Sequence, residues 1–148
     1  MESCIAQGSQ VVLTVTGNSM YPLLCHRRDQ VILQKAEKAS LQIGDVPLYR
    51  RANGQFVLHR IVDLGATSYT LCGDGQWKKE YGIPCSAVVA VAAGFYRKGK
   101  YISCQSFCYR LYVKLWIAIL PLRPFILKGR RFAARLVHKA RKLFAKKV

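Results

Sequence analysis

Ser19 stands in the run G-N-S-M-Y-P at residues 17–22, between a glycine that frees the backbone and a proline that stiffens it. A hydroxyl fixed on such a bend is a nucleophile when a base lies within hydrogen-bond reach and N–H donors face the developing oxyanion. Without a base, the same run is an ordinary Gly-Asn-Ser turn. The chain offers three histidines, His26, His59 and His138. Histidine suits the task because its ordinary pKa of about 6.5 leaves it largely neutral near pH 7, free to accept the seryl proton. A carboxylate on its other ring nitrogen fixes the tautomer and steadies the imidazolium as it forms. Six cysteines (Cys4, Cys25, Cys72, Cys85, Cys104 and Cys108) have neither a C-x-x-C pair nor the His spacing of a zinc site. They read as free thiols, and no metal or other cofactor is expected.

The elements that must position these groups read as short strands. Residues 10–16, Q-V-V-L-T-V-T, are β-branched and run into the turn that carries Ser19. Val31-Ile32-Leu33 is followed by a turn at Gly44-Asp45, and Leu48-Tyr49-Arg50 leads to the hairpin signal Asn53-Gly54. A returning strand is expected over 56–62, with His59 inside it. Further strands are expected at 69–72, 88–91 and 94–102, with a turn at Gly73-Asp74-Gly75. Such spacing predicts a mainly β fold, a small and mostly antiparallel sheet structure of the barrel-like kind. Near residue 105 the pattern turns helical through Trp116 to Leu120, with Pro121 and Pro124 as breaks.

The order of the motifs resembles one family. G-N-S-M-Y-P is followed by R-R-D-Q-V at 27–31, I-G-D-V at 43–46, V-L-H-R-I-V at 57–62 and C-G-D at 72–74. This succession, covering residues 11–91, is similar to the type I signal peptidases, of the same clan as the LexA-type peptidases. The resemblance is to the members that use histidine instead of lysine as base. It implies a β-barrel-like catalytic core with Ser19 as nucleophile, His59 as general base and Asp74 as the group that orients the imidazole. Glu80 matches a second acidic position and is the reserve for that role. The oxyanion donors would be the Ser19 backbone N–H, Gly17 having no hydroxyl to offer, and the Asn18 side chain. Against the family pattern, Arg28 replaces a glycine before Asp29, Pro47 enters a strand, G-D-G-Q replaces G-D-N-N, and no N-terminal transmembrane helix is seen.

Charge divides the chain unevenly. The net charge is +17 over 148 residues; all seven acids lie at or before Glu80, with nine of the 24 Lys and Arg, and the other fifteen follow. A one-signed half usually meets phosphate, in nucleic acid or in lipid headgroups. Residues 111–127 are apolar but too short to cross a bilayer and carry Lys114 and Arg123, so they are expected to lie on or dip into a membrane. Residues 129–148 place Phe132, Leu136 and Leu143 on one helical face and Arg131, Arg135, Lys139 and Lys142 around it. That is an interfacial anchor for anionic lipid; the alternative is a helix packed on the domain with a solvated basic face. No nucleic-acid partner is expected, since no reader motif is present.

The division expected is therefore a catalytic β-domain at 1–104 and an apolar, then basic and amphipathic, helical tail at 105–148. With no secretory signal recognised and no spanning helix, a peripheral membrane position on the cytoplasmic face is expected. The function expected is a serine endopeptidase acting on extended, leader-like peptides; by the resemblance it cuts after small residues. The rival is a catalytically inactive module of the same fold that binds a peptide strand and docks through its basic tail.

Overall fold

The computed structural model describes residues 2–37, 40–126 and 129, and the basic tail from 130 onward, with Arg131, Phe132, Arg135, Leu136, Lys139, Lys142 and Leu143, lies outside the described residues. Mainly β architecture holds: a curled antiparallel half-barrel sheet, with a helix near the C-terminal end of the described chain. A five-residue helix, α1 (Glu2–Ala6), precedes nine strands: β1 (Val11–Thr14), β2 (Gln30–Lys35), β3 (Pro47–Arg50), β4 (Phe56–Leu58), β5 (Arg60–Leu64), β6 (Ser68–Cys72), β7 (Glu80–Pro84), β8 (Val88–Arg97) and β9 (Lys100–Ser103). Helix α2 (Phe107–Ala118) follows.

The larger sheet has the order β1-β2-β8-β3-β4, with β9 also paired to β8; the smaller is β5-β6-β7. The middle strand β8 reads V-V-A-V-A-A-G-F-Y-R, a nearly continuous apolar run, because it is covered on both faces. Register shifts against β8, at Ile32/Leu33 and at Leu48/Tyr49, are bulges of the kind that bend a sheet. Pro47 sits at the first position of β3, where a missing N–H is best tolerated. The expected hairpin turn at Asn53-Gly54 joins β3 to β4.

Two expectations are corrected. Residues 56–62 are not one strand: β4 belongs to the larger sheet and β5 to the smaller, and His59 is the residue between them. The stretch 94–102 is a hairpin, β8 turning into β9 at Lys98-Gly99, whose φ angles of 50° and 76° are those of a primed turn. Strand β7, which begins with Glu80, was not anticipated.

Two apolar clusters hold the sheets. One joins Met20, Leu23 and Leu24 of the Ser19 loop to Leu33, Ala90 and Phe95 of the larger sheet and to Tyr109 and Val113 of α2. The other joins Tyr49, Val88 and Val91 to Ile61, Tyr69 and Leu71, sealing the smaller sheet against the larger. Helix α2 opens at Ser106, whose hydroxyl accepts from Tyr109 N–H, and gives way to the 3-10 turn Leu120–Leu122 at Pro121. Residues 105–126 are thus packed on the β-domain along one face. Their other face leaves Phe107, Leu111, Leu115, Leu122, Phe125 and Ile126 exposed, Phe107 and Phe125 to 78% and 75%. Among the described residues no helix is long and apolar enough to cross a membrane, and all six cysteines are free thiols.

Candidate active site

Strand β1 delivers Ser19. After Val15, whose N–H and C=O bond to Asp29 and Arg27, the chain turns at Gly17 with φ of 89°. Gly17 N–H donates to His26 Nδ1 at 2.8 Å, so His26, which matched no motif, braces the bend instead of acting as a base. At the exit of the loop, buried Asp29 accepts from Cys25 N–H at 2.8 Å and from Lys98 N–H at 3.2 Å, and is paired with Arg28. The Arg28 guanidinium holds the Asp29 carboxyl at about 2, with the two backbone bonds adding to the effect against the penalty of burial. Ser19 itself is half-buried, and among the described residues its hydroxyl makes no hydrogen bond.

His59 is 1% exposed. Its Nδ1 lies 3.2 Å from Glu80 Oε1 and 3.2 Å from the Tyr49 hydroxyl. With the carboxylate beside it, Nδ1 carries the proton and Nε2 keeps a lone pair. Nε2 faces the nucleophile turn: a Cβ added to Gly73 would lie 3.1 Å from Nε2 and 2.5 Å from the Ser19 carbonyl oxygen. Only glycine allows that approach, and Gly75 is held to the same rule, since its Cβ would meet the carbonyls of Asn18 and Tyr21 at 2.7 and 2.9 Å. The main chain of Ser19 and the His59 ring thus both adjoin Gly73, while Ser19 Oγ and Nε2 share no hydrogen bond.

Burial drives the His59 imidazole down to about 4; Glu80 opposes that shift and Arg51 adds to it. The ring is therefore neutral at pH 7. Glu80 is gripped by Arg51, through Nε at 3.0 Å and through a short Nη2 contact, and Tyr49 also bonds it. Burial pushes the Glu80 carboxyl up, but the Arg51 and Tyr49 hydrogen bonds bring it below its ordinary value, so it is an anion beside the imidazole.

The carboxylate on His59 is therefore Glu80, the reserve, and not Asp74. Asp74 is buried and bound in a fork by Arg60, Nε to Oδ1 at 2.8 Å and Nη2 to Oδ2 at 2.7 Å. Tyr112 of α2 also donates to it at 3.2 Å. Arg60 is fully buried, donating further to the Gly44 carbonyl at 2.7 Å and to Tyr109 at 3.0 Å. This network ties the Asp74 side chain to Arg60, the first residue of β5 and the neighbour of His59.

No protein-family model, curated protein or solved structure matches this chain.

The Ser19 N–H is engaged in no backbone hydrogen bond among the described residues, and Asn18 is exposed, its main-chain carbonyl accepting from Tyr21 N–H. Tyr49, Arg51 and Arg60 escaped the sequence reading. For Arg60 the signal was present, an arginine next to the candidate base with an aspartate in the late turn. For Tyr49 and Arg51 none was, because their reach to Glu80 depends on how β3 and β7 face one another. No cluster of His, Cys, Asp and Glu among the described residues has the makings of a metal site.

Proposed function

We propose that this protein is a membrane-docked serine endopeptidase of the signal-peptidase-like kind, cutting extended, leader-like peptides through Ser19 and His59. The observation that carries the proposal is the buried His59, with one ring nitrogen on the Glu80 carboxylate and the other beside Gly73, against which the Ser19 carbonyl also lies. In the reaction Ser19 Oγ attacks the scissile carbonyl while His59 Nε2 takes its proton, and Glu80 steadies the imidazolium. The Ser19 N–H meets the oxyanion. His59 then returns the proton to the leaving amine, and water, activated by the same nitrogen, hydrolyses the acyl-enzyme.

Sheet topology supports an extended substrate. Strands β1 and β4 end the β1-β2-β8-β3-β4 path of the larger sheet; β1 runs toward Ser19 and β4 ends at the residue before His59. A peptide paired to either edge is led to the reacting groups. Cleavage after small residues remains what the family resemblance implies. For the membrane, the support is the exposed apolar face of residues 107–126 together with the fifteen basic residues that follow Glu80.

A second reading, a peptide-docking module without turnover, is favoured by one observation, the unformed hydrogen bond between Ser19 Oγ and His59. A fluorophosphonate and a leader-peptide library separate the two. The proteolytic reading expects an adduct on Ser19 and turnover that Ser19→Ala abolishes with peptide binding retained. No adduct, and peptide binding without cleavage by the unmodified chain, selects the docking module.

A further inference from the structure

Arg123 is the second buried arginine among the described residues, 1% exposed, and its surroundings differ from those of Arg60. Among the described residues no carboxylate bonds it. Nη1 donates to the Gly73 carbonyl at 3.3 Å and to that of Gln76 at 3.4 Å, Nη2 donates to the Trp116 carbonyl at 2.8 Å, and among the described residues buried Nε has no hydrogen-bond partner. The guanidinium lies over the Trp116 ring, 4.7 Å from its centre, and Cys72 Sγ is 4.0 Å from Nη1. Burying a cation among dipoles alone is unfavourable and requires a compensating arrangement. Here one nitrogen, Nη1, is shared between two carbonyls of one turn, Nη2 bonds the Trp116 carbonyl of α2, and the planar group stacks on an aromatic face.

The turn it holds is the one behind the nucleophile. Gly75 N–H donates to the Ser19 carbonyl at 2.7 Å, and Gln76 N–H closes the turn on Gly73 at 3.0 Å. Two glycines in four residues leave this turn without steric definition of its own. Arg60 fixes the Asp74 side chain but makes no bond to the carbonyls of the turn; those are fixed by Arg123. A connected path runs from the Arg123 guanidinium to the carbonyls of 73 and 76, through Gly75 N–H, to the main chain of Ser19.

We propose that Arg123 is a positioning residue for the nucleophile, and that the segment following α2 is thereby part of the active site. The proposal rests on the proteolytic reading for its kinetic consequence but not for its structural one. The test uses the full chain with Arg123→Met, which keeps the stem and removes the fork, and Arg123→Lys, which keeps charge and donors. Two quantities are measured: the rate at which a fluorophosphonate labels Ser19, and amide hydrogen exchange at Gly75 against Leu33 and Ala92 in the central strands.

In Arg123→Met we expect labelling slowed by about tenfold to a hundredfold, the scale of a small misplacement of reacting atoms. Gly75 exchange rises while Leu33 and Ala92 keep their protection, and Arg123→Lys recovers part of both. Unchanged Gly75 exchange together with unchanged labelling overturns the proposal. So does loss of protection at all three amides in both variants, which makes Arg123 a residue of general stability only. If the unmodified chain never labels but Gly75 still responds selectively, the proteolytic reading fails and the control of the turn by Arg123 stands.

Discussion

At the scale of single residues, the proposed chemistry turns on how His59 is kept neutral and aimed. Its ordinary value of 6.5 is lowered by burial to about 4, so the folded form resists protonation more than the unfolded chain does. The sign follows: the stabilising contribution is complete above 6.5 and is lost as pH falls toward 4. The acid limb of Ser19 labelling is expected near pH 4 and not near 6.5, read from its rate across pH 3.5–8; a midpoint at 6.5 would mean that the base is a solvated histidine. Glu80 is the anion that holds Nδ1. Glu80→Gln is expected to reduce labelling by roughly 10²–10⁴-fold with the fold intact, as loss of an orienting carboxylate does in such triads. Asp74→Asn has another effect, because Asp74 neutralises Arg60. Leaving a buried guanidinium unpaired costs about 3–5 kcal/mol, measurable as a lowered urea midpoint.

Among elements, the break between β4 and β5 and the turn after β6 create the site. A continuous strand at 56–62 would give His59 a regular place in one sheet; the switch from one sheet to the other puts it in the gap between them, walled by Tyr49 of β3 and Glu80 of β7. The turn at 73–76 then closes on Ser19 so tightly that a methyl group at Gly73 would fall 2.5 Å from the Ser19 carbonyl. Gly73→Ala is expected to destabilise by about 1–3 kcal/mol through that overlap and to lower labelling more than stability. Thermal unfolding and labelling on one preparation check both. A variant as stable and reactive as the parent would contradict the close approach.

For the whole molecule, charge and apolar surface gather on the C-terminal part. Helix α2 faces three ways: Tyr109 and Val113 complete the core, Tyr112 reaches Asp74, and Phe107, Leu111 and Leu115 stay outside. Attachment to anionic vesicles is expected for the intact chain, weakening as salt is raised because surface charges are screened. Removing residues 129–148 is expected to release it from the vesicles without unfolding the β-domain. Vesicle sedimentation with circular dichroism of the shortened chain checks this, and an intact chain that ignores such vesicles rejects the membrane reading.

Much of the fold was legible in the sequence. Short runs of strand-forming residues between turn signals placed β1, β2, β3 and β6, and Asn53-Gly54 fixed a hairpin, because these signals act over a few neighbours. Ser19, His59 and Glu80 were named from motif order. What the sequence left open was which acid serves the histidine, since Asp74 and Glu80 are both downstream of it and proximity in a chain does not specify proximity in space. The tertiary structure decided it: Arg60, drawn inside by the apolar packing around it, claims Asp74, and the pairing of β7 with β6 carries Glu80 to Nδ1. Electrostatic partners are chosen by burial, and burial is a property of the assembled molecule.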